Sequence, residues 1–434
     1  MTMPMHRRRF LSATASAFAA LAASGCSTMG SRGGRIGYGG LVPDPAGFID
    51  LPQGFSYRVI SQLGETMSEG FTVPDAADGM GCFDLPGGKI ALVRNHECIP
   101  GIHEGGGVMG PAYDTFGKSL VPLPGGTTTL VLDADTLAVE RQYRSLAGTI
   151  RNCAGGTTPW GSWLTCEESV VKADGKINKD HGWVFEVPAT APGLVDPVPL
   201  TAMGRFNHEA ACVDPRTGIV YMTEDRDDSL LYRFIPKVRG RLAEGGRLQA
   251  LALSDGVRDT RNWGGIAFAP LSSHPVSWID LDQVESPNDD LRKRGAAMGA
   301  ALFARGEGIH MGEGELYFCC TSGGTAKLGQ VFRLDVSGDQ SLHLFFESTS
   351  PDQFNYGDNL TIAPWGDLIV CEDQYTDPVD NYLRGIAPSG TPYPLARLRA
   401  QTEWAGACFS PDGRTLFVNA YSPAKTIAIT GPWI

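Results

Sequence analysis

The sequence predicts an all-β fold, a six-bladed β-propeller with loop and short helical insertions, and two observations support this prediction. The 434 residues include 55 Gly and 29 Pro, which suits many short strands better than long helices. A strand–turn–strand unit also recurs six times. Each copy joins a polar residue, a short strand, a turn ending in glycine, an apolar strand and a second polar cluster, which is the pattern of a propeller blade.

Residues 1–26 have the features of a targeting peptide. Arg7-Arg8-Arg9-Phe10-Leu11 is a twin-arginine pattern, and the alanine-rich run that follows is too short for a membrane span. Ala23-Ser24-Gly25-Cys26 resembles a lipoprotein cleavage box, so lipidation of Cys26 and ordinary cleavage nearby are both open. These features predict export by the twin-arginine route to the periplasm or the cell surface.

Residues 27–45 are rich in Gly, Ser and Arg and predict a flexible tether. Residues 46–434 are expected to form one propeller domain. Within it, residues 55–60 alternate apolar and polar side chains and predict a strand that pairs with residues 426–429 to close the ring.

The six copies are irregularly spaced, so insertions must separate them. The glycine turns of the copies are residues 86–88, 159–161, 214–218, 312–314, 364–366 and 411–413. The candidate insertions are residues 101–126, 255–262 and 280–301, of which only the last looks helical. A β-sandwich with coincidental hairpins is the alternative fold.

The first strand of each copy is expected to line the central channel, which makes its polar residues equivalent in position. These residues are Asp78, Cys153, Glu209, Glu307 and either Asp358 or Asn359, and Trp404-Ala405 holds the sixth place. Carboxylates so close together would raise one another's pKa unless cations lie among them. The repeat therefore predicts a metal site.

The second strand of each copy ends in further polar residues. Because successive side chains of a strand point to opposite faces, one residue of Glu167-Glu168 and one of Glu372-Asp373 is expected to reach the site. We favour Glu168, and expect Cys166 to lie in the core. His208 is expected to face away from the site, while His96 in Asn95-His96-Glu97 is ambiguous.

The composition of the chain favours some ligands and partners and argues against others. A net charge of −12 argues against nucleic acid or an anionic membrane as a partner and is compatible with bound Ca²⁺. Nine cysteines follow Cys26 without a C-x-x-C pair, which argues against a disulfide framework. A thiolate from Cys153 would favour a transition metal such as iron or zinc.

Arg305 lies two residues before Glu307 and shares its face in an extended strand. A guanidinium beside a metal cluster is suited to bind a phosphate oxyanion. A structural ion pair with a neighbouring carboxylate is the alternative.

Several motifs resemble those of the PhoX family of alkaline phosphatases. They are NCAGGTTPWGSWLTCEE at residues 152–168, GRFNHEAA at 204–211, TEDR at 223–226, RGEG at 305–308 and DNL at 358–360. The resemblance spans roughly residues 50–430. It implies a six-bladed propeller that holds two ferric ions and several calcium ions and acts on phosphomonoesters outside the cytoplasm.

The resemblance also implies roles for individual residues. Cys153 would be the iron thiolate ligand, and Arg305 the phosphate clamp. The further cluster ligands would be Glu168, Glu209, Glu307 and Glu372 or Asp373, and the weaker calcium candidates Asn95, Glu97, Asp358 and Asn359.

The sequence thus predicts a monomeric, metal-dependent phosphomonoesterase in which a metal-held oxygen attacks phosphorus in line. A calcium-dependent propeller hydrolase such as a lactonase needs acidic channel residues but no thiolate, and is one alternative. A non-catalytic, calcium-stabilised propeller that binds a surface partner is the other.

Overall fold

The computed structural model describes residues 36–434, so the predicted targeting peptide, with Cys26, lies outside the described residues. The described chain is built from β-strands, with one α-helix, α1 (Leu291–Met298), and two single-turn 3-10 helices (Thr201–Met203 and Leu242–Glu244). None of the helices in this part is long and apolar enough to cross a membrane. The prediction of an all-β fold is confirmed.

The strands of the first half are β1 (Leu41–Val42), β2 (Ile49–Pro52), β3 (Ser56–Gln62), β4 (Ala77–Leu85), β5 (Lys89–His96), β6 (Gly125–Asp133), β7 (Val139–Thr149), β8 (Asn152–Thr157), β9 (Ser162–Glu167), β10 (Val184–Pro188), β11 (His208–Val213), β12 (Val220–Glu224) and β13 (Tyr232–Pro236). Those of the second half are β14 (Gly246–Leu253), β15 (Ser273–Asp280), β16 (Gly306–Met311), β17 (Glu315–Cys320), β18 (Gln330–Asp335), β19 (Ser341–Glu347), β20 (Gly357–Ile362), β21 (Leu368–Glu372), β22 (Asn381–Ile386), β23 (Pro392–Leu398), β24 (Trp404–Phe409), β25 (Thr415–Ala420) and β26 (Lys425–Thr430).

The described strands form five antiparallel sheets in a propeller-like arrangement. Four sheets have the orders β4-β5-β6-β7, β10-β9-β8, β24-β25-β26-β3 and β1-β2-β23-β22-β21-β20, and the fifth has the order β11-β12-β13-β14-β15-β19-β18-β17-β16. Six separate sheets were expected. The difference arises because β15 pairs with β14 on one side and with β19 on the other, which joins two repeat units into one nine-stranded sheet.

Six strands lie at sheet edges and follow one another around a ring. They are β4, β8, β11, β16, β20 and β24, and we call them the inner strands. Each contacts the next, and β24 contacts β4. The strand predicted at residues 55–60 is β3, which pairs with β26 through Val59 and Ile427 and completes the last sheet, as expected.

The chain just before residue 46 makes defined contacts. Residues 41–42 pair with β2, and the Asp44 carboxylate accepts hydrogen bonds from the backbone N–H groups of Phe48 and Ile49 and from the Tyr57 hydroxyl. These contacts fix the chain before residue 46, because a carboxylate with three donors anchors the turn around it. Helix α1 lies inside the insertion that was predicted to be helical.

The pairing of every inner strand with its second strand is interrupted at the same place. The shifts in register fall within residues 77–80, 152–155, 208–211, 306–309, 357–360 and 405–408. An interruption of this kind bends a strand and re-aims its side chains. All six inner strands therefore turn the same part of their sequence toward the centre.

The inner strands approach closely at this place, which requires small residues. A Cβ added to Gly79 would lie 2.6 Å from Ala154 Cα, and one added to Gly406 would lie 2.3 Å from the Asp78 carbonyl oxygen. Behind the inner strands, apolar side chains of neighbouring sheets pack against one another, as in the buried cluster of Phe83, Trp163 and Phe185. The ring is thus stabilised by an apolar core behind the inner strands and by close backbone contact between them.

The substitution Gly156→Ala tests the close approach of inner strands. Its Cβ would lie 1.8 Å from the carbonyl oxygen of Ala211 on the neighbouring strand β11. Since backbone must move to admit it, we expect the free energy of unfolding to fall by at least about 1–3 kcal/mol. Thermal denaturation of the variant measures this change.

The matched control is Gly193→Ala, because an added Cβ there meets no atom within 4 Å. Its melting temperature should stay close to that of the wild type. Equal melting temperatures for both variants would contradict the packing argument.

Candidate metal centre

The second residue of each inner strand lies where the strand is bent toward the centre. In chain order these residues are Asp78, Cys153, Glu209, Glu307, Asp358 and Ala405. The first five are buried, and they are the residues that the repeat predicts to be equivalent. Residues that are equivalent in the sequence repeat therefore also occupy equivalent places in the structure.

These side chains converge into three overlapping groups whose ligand atoms lie within 4.8 Å of one another. The groups are Asp78, Glu97 and Cys153; Cys153, Glu168 and Glu209; and Glu209, Glu307 and Asp358. Cys153 Sγ lies 3.2 Å from Glu209 Oε1 and 3.7 Å from Asp78 Oδ2. Six carboxylates and one thiol thus share one buried centre, which we call the acidic cluster.

Glu168 and Glu167 point to opposite sides, as the alternation of a strand predicts. Glu168 reaches the acidic cluster, where Asn207 Nδ2 donates to its Oε1 at 2.8 Å. Glu167 instead accepts hydrogen bonds from the backbone N–H groups of Ile150 and Gly182 and lies 2.6 Å from His181 Nδ1. Glu167 therefore ties loops together behind the site.

Histidines and Cys166 lie outside the cluster. His208 stacks on Phe206, and its Nε2 bonds the Gly204 carbonyl. His96 bonds the Asp75 carbonyl and Thr128, while Cys166 is fully buried in the apolar core. Burial lowers the pKa of His208 to about 3, so this imidazole is neutral.

Two residues expected at the site are engaged elsewhere. Glu372 accepts hydrogen bonds from Arg384 Nε and from the backbone N–H groups of Asn355 and Tyr382. Asn95 donates to the carbonyls of Cys153 and Ala154 and accepts from Trp163 Nε1. These partners engage the side-chain polar groups of both residues, and neither residue belongs to the groups of ligand atoms described above.

Asp373 is the member of its pair that faces the cluster. After burial, its negative charge is the largest influence that raises the pKa of Glu403 and of Asp358, and it also raises the pKa of Arg305. Asn359 lies beside the cluster, and both polar atoms of its side chain form hydrogen bonds. Its Nδ2 donates to Asp358 Oδ1, and its Oδ1 accepts from the Gly406 N–H. Asn359 thus holds Asp358 and links β20 to β24.

The acidic cluster carries more negative charge than its surroundings balance. Burial, and then the neighbouring carboxylates, raise the pKa of Asp78, Glu209 and Glu307 well above the usual range, and burial raises that of Asp358 to about 7. Among the described residues, Glu209 Oε2 and Asp373 Oδ1 are buried without a hydrogen-bond partner. Oxygen atoms placed in this way are suited to ligate cations.

Two arginines border the cluster. Arg305 donates from Nε and Nη2 to Asp225 and from Nη2 to Glu307 Oε1. Arg151, which the sequence reasoning missed, donates to Glu97 and Glu168. Burial lowers the pKa of each guanidinium, but these carboxylates outweigh burial and raise it, so both groups are charged.

The sequence reasoning also missed Glu403 and the role of Asp225. Burial and the neighbouring Asp373 raise the pKa of Glu403 well above its usual range. A signal for both Arg151 and Glu403 was present. Each lies directly before an inner strand, two residues before the cluster position, just as Arg305 does.

The chain matches a known protein family. The family profile described as "Alkaline phosphatase PhoX" matches residues 36–105 and 129–424. No curated protein sequence matches the chain at a significant level.

Solved structures resemble this chain to different degrees, and the first of those described next shares its fold. PhoX of Pseudomonas fluorescens in complex with vanadate, a transition state analogue, is 20% identical over 88% of this chain and 96% of its own, with a TM-score of 0.69. A gluconolactonase of Xanthomonas campestris, 13% identical over 92% of this chain and 99% of its own, has a TM-score of 0.37. The WD40 β-propeller domain of Doa1, 10% identical over 86% and 97%, has a TM-score of 0.40.

Fold, cluster and family profile together define a metal-dependent phosphoric monoester hydrolase on a propeller-like scaffold. The profile covers most of the chain, including every residue of the acidic cluster. The chain belongs to the PhoX family of alkaline phosphatases.

Substitutions at two adjacent residues test whether Glu168 belongs to the metal site and Glu167 to the structure around it. Glu168→Gln should lower the metal content of the purified protein, because it removes a charge from the acidic cluster. Glu167→Gln should retain the metal but lower the free energy of unfolding by about 1–3 kcal/mol, since it weakens buried hydrogen bonds. Metal analysis and thermal denaturation of both variants measure these effects. Equal loss of metal in both would refute this assignment.

Proposed function

We propose that this alkaline phosphatase hydrolyses its phosphomonoesters at the acidic cluster, with iron and calcium bound there. The observation that carries the proposal is the burial of six carboxylates and one thiol in overlapping groups, with buried Glu209 Oε2 unpartnered among the described residues. Such a set is stable only if it is protonated or neutralised. Bound cations neutralise it and use the same atoms.

The donor types favour two kinds of metal. The group of Cys153, Glu168 and Glu209 combines a soft thiolate with carboxylates, which suits iron. The group of Glu209, Glu307 and Asp358 offers only oxygen, which suits calcium. Asp78 and Glu97 extend the set on the other side of Cys153, and Asp373 extends it beside Asp358.

Bound metal ions of this kind neutralise phosphate oxygens and stabilise charge in the transition state. The residues of the chain contribute the remaining functions. Arg305 is held by Asp225 and Glu307, and no described residue bonds its Nη1. This nitrogen is free to donate to a phosphate oxygen, and the buried walls limit access of bulk water.

We also propose finer points of architecture and location. The nine-stranded sheet counts as two blades that share β15, which gives six blades around six inner strands in a single domain of residues 46–434. The twin-arginine pattern and Cys26 support export, with a lipid anchor at Cys26 as one outcome of processing. The protein is proposed to act as a monomer on small phosphate esters.

Removal of one thiol from the cluster tests the proposed metal set. Cys153→Ala should lose iron, and its turnover of a chromogenic phosphomonoester should fall by more than the ~10–100-fold typical of residues that only support a ligand. Elemental analysis and initial rates measure both. Cys166→Ala is the matched control, since Cys166 is a buried thiol in the core. A wild-type protein with calcium but without iron would contradict the proposal.

Substitution of the proposed clamp tests the mechanism. Arg305→Ala should retain its metal ions and lower kcat/KM for the same substrate by about 10²–10³-fold, because a donor to the developing charge is lost. Steady-state kinetics at verified metal content measures the effect. A structural ion pair alone predicts lower thermal stability with nearly unchanged kcat/KM.

A further inference from the structure

Six residues directly precede the inner strands, and we call these places the entry positions. They are Ala76, Arg151, Asn207, Arg305, Tyr356 and Glu403. Two of the six are arginines. Four of the six, Ala76, Arg151, Arg305 and Tyr356, share a left-handed backbone with φ values between 48° and 54°, which non-glycine residues seldom adopt. The two arginines therefore enter the site in the same way from different repeat units.

Each of the two guanidinium groups bridges two carboxylates. Arg151 lies between Glu97 and Glu168, with Nη2 at 2.7 Å from Glu97 Oε1 and 2.5 Å from Glu168 Oε2. Arg305 lies between Asp225 and Glu307, with Nε at 2.8 Å from Asp225 Oδ1 and Nη2 at 3.0 Å from Glu307 Oε1. Both partners of Arg151 belong to the acidic cluster, whereas Arg305 joins one cluster carboxylate, Glu307, to Asp225 outside it.

Exposure shows which way these groups face. The side chains of Arg151 and Arg305 are 33% and 31% exposed, whereas their partners Glu97, Glu168 and Glu307 are 6–8% exposed. Both guanidinium groups therefore cover the buried carboxylates on the side of the solvent. Their partners Glu168 and Glu307 each lie in a group with Glu209, so the two cations border neighbouring parts of one cluster.

The contacts of Arg151 engage all three of its nitrogens, since Nη1 also donates to the Glu168 backbone carbonyl at 3.1 Å, but they leave at least one N–H group unused. A guanidinium has five N–H donors in a planar fork that matches the oxygens of phosphate. When Glu97 and Glu168 direct lone pairs to cations, their hold on Arg151 weakens. Its donors are then available to an oxyanion at the mouth of the cluster.

We propose that Arg151 is a second phosphate-binding residue, so that the phosphoryl oxygens are bound between Arg151 and Arg305. This inference rests on the proposed function of the acidic cluster. A monoester presents a dianion with three non-bridging oxygens, whereas a diester presents one charge and two such oxygens. Two arginines therefore favour the monoester, and the second of them contributes to this preference.

The test is the binding of inorganic phosphate to the metal-loaded protein, measured by titration calorimetry. Arg151→Ala should keep its metal content and bind phosphate at least about tenfold more weakly, as expected for loss of one charge-assisted contact. The ratio of kcat/KM for a chromogenic monoester to that for its diester should fall as well. Unchanged phosphate affinity at full metal content would overturn the proposal.

A second variant decides the case in which Arg151→Ala fails to fold or to hold metal. Arg151→Lys keeps the positive charge but lacks the planar fork, so it should fold and bind phosphate more weakly than the wild type. Affinity equal to that of the wild type would overturn the role. The control is Arg216→Ala, an exposed arginine paired with Asp214 at the opposite end of β11, which should change neither value.

The same titration separates this inference from the proposed function. A metal-loaded wild-type protein that binds no phosphate would show that the acidic cluster is not the phosphate site, whatever Arg151 does. Phosphate binding by the wild type that is unaffected in both Arg151 variants would overturn the role of Arg151 alone.

Discussion

The burial of negative charge around one axis is the constraint on which the rest of this structure depends. Six carboxylates and a thiol are buried in one centre, and burial raises the pKa of most of them. Without compensation such a centre would be among the least stable parts of the fold. The arginines on its rim offset part of the charge, and cations complete the balance.

The backbone is adapted to this constraint. The register shifts release backbone carbonyls from the sheet ladder, and polar side chains from neighbouring units take them up. Asn419 donates to the Asp78 carbonyl, Thr223 to that of Glu307 and Thr321 to that of Gly357. Asn95 does the same for Cys153 and Ala154. Asn95, which was expected to be a ligand, thus holds the backbone of the inner strand that carries Cys153.

The sequence predicted the features that depend on neighbouring residues of one strand, but not those that depend on contacts between distant parts of the chain. The repeat placed Asp78, Cys153, Glu209, Glu307 and Asp358 in equivalent positions, because register within a strand is a local property. Strand alternation separated Glu168 from Glu167 for the same reason. The partners of Glu372 and Asn95, by contrast, come from other strands and loops that no local pattern specifies. The merging of two units through β15 depends likewise on long-range pairing.

Closure of the ring by β3 and β26 has a consequence for how the site comes into being. The pairing joins residues 56–62 to residues 425–430, so nearly the whole described chain must be synthesised before the last sheet is complete. The inner strand β24 of that sheet contacts β4, which carries Asp78. A chain that ends before β24 therefore retains every residue of the acidic cluster but lacks the strand that closes the ring of inner strands beside Asp78.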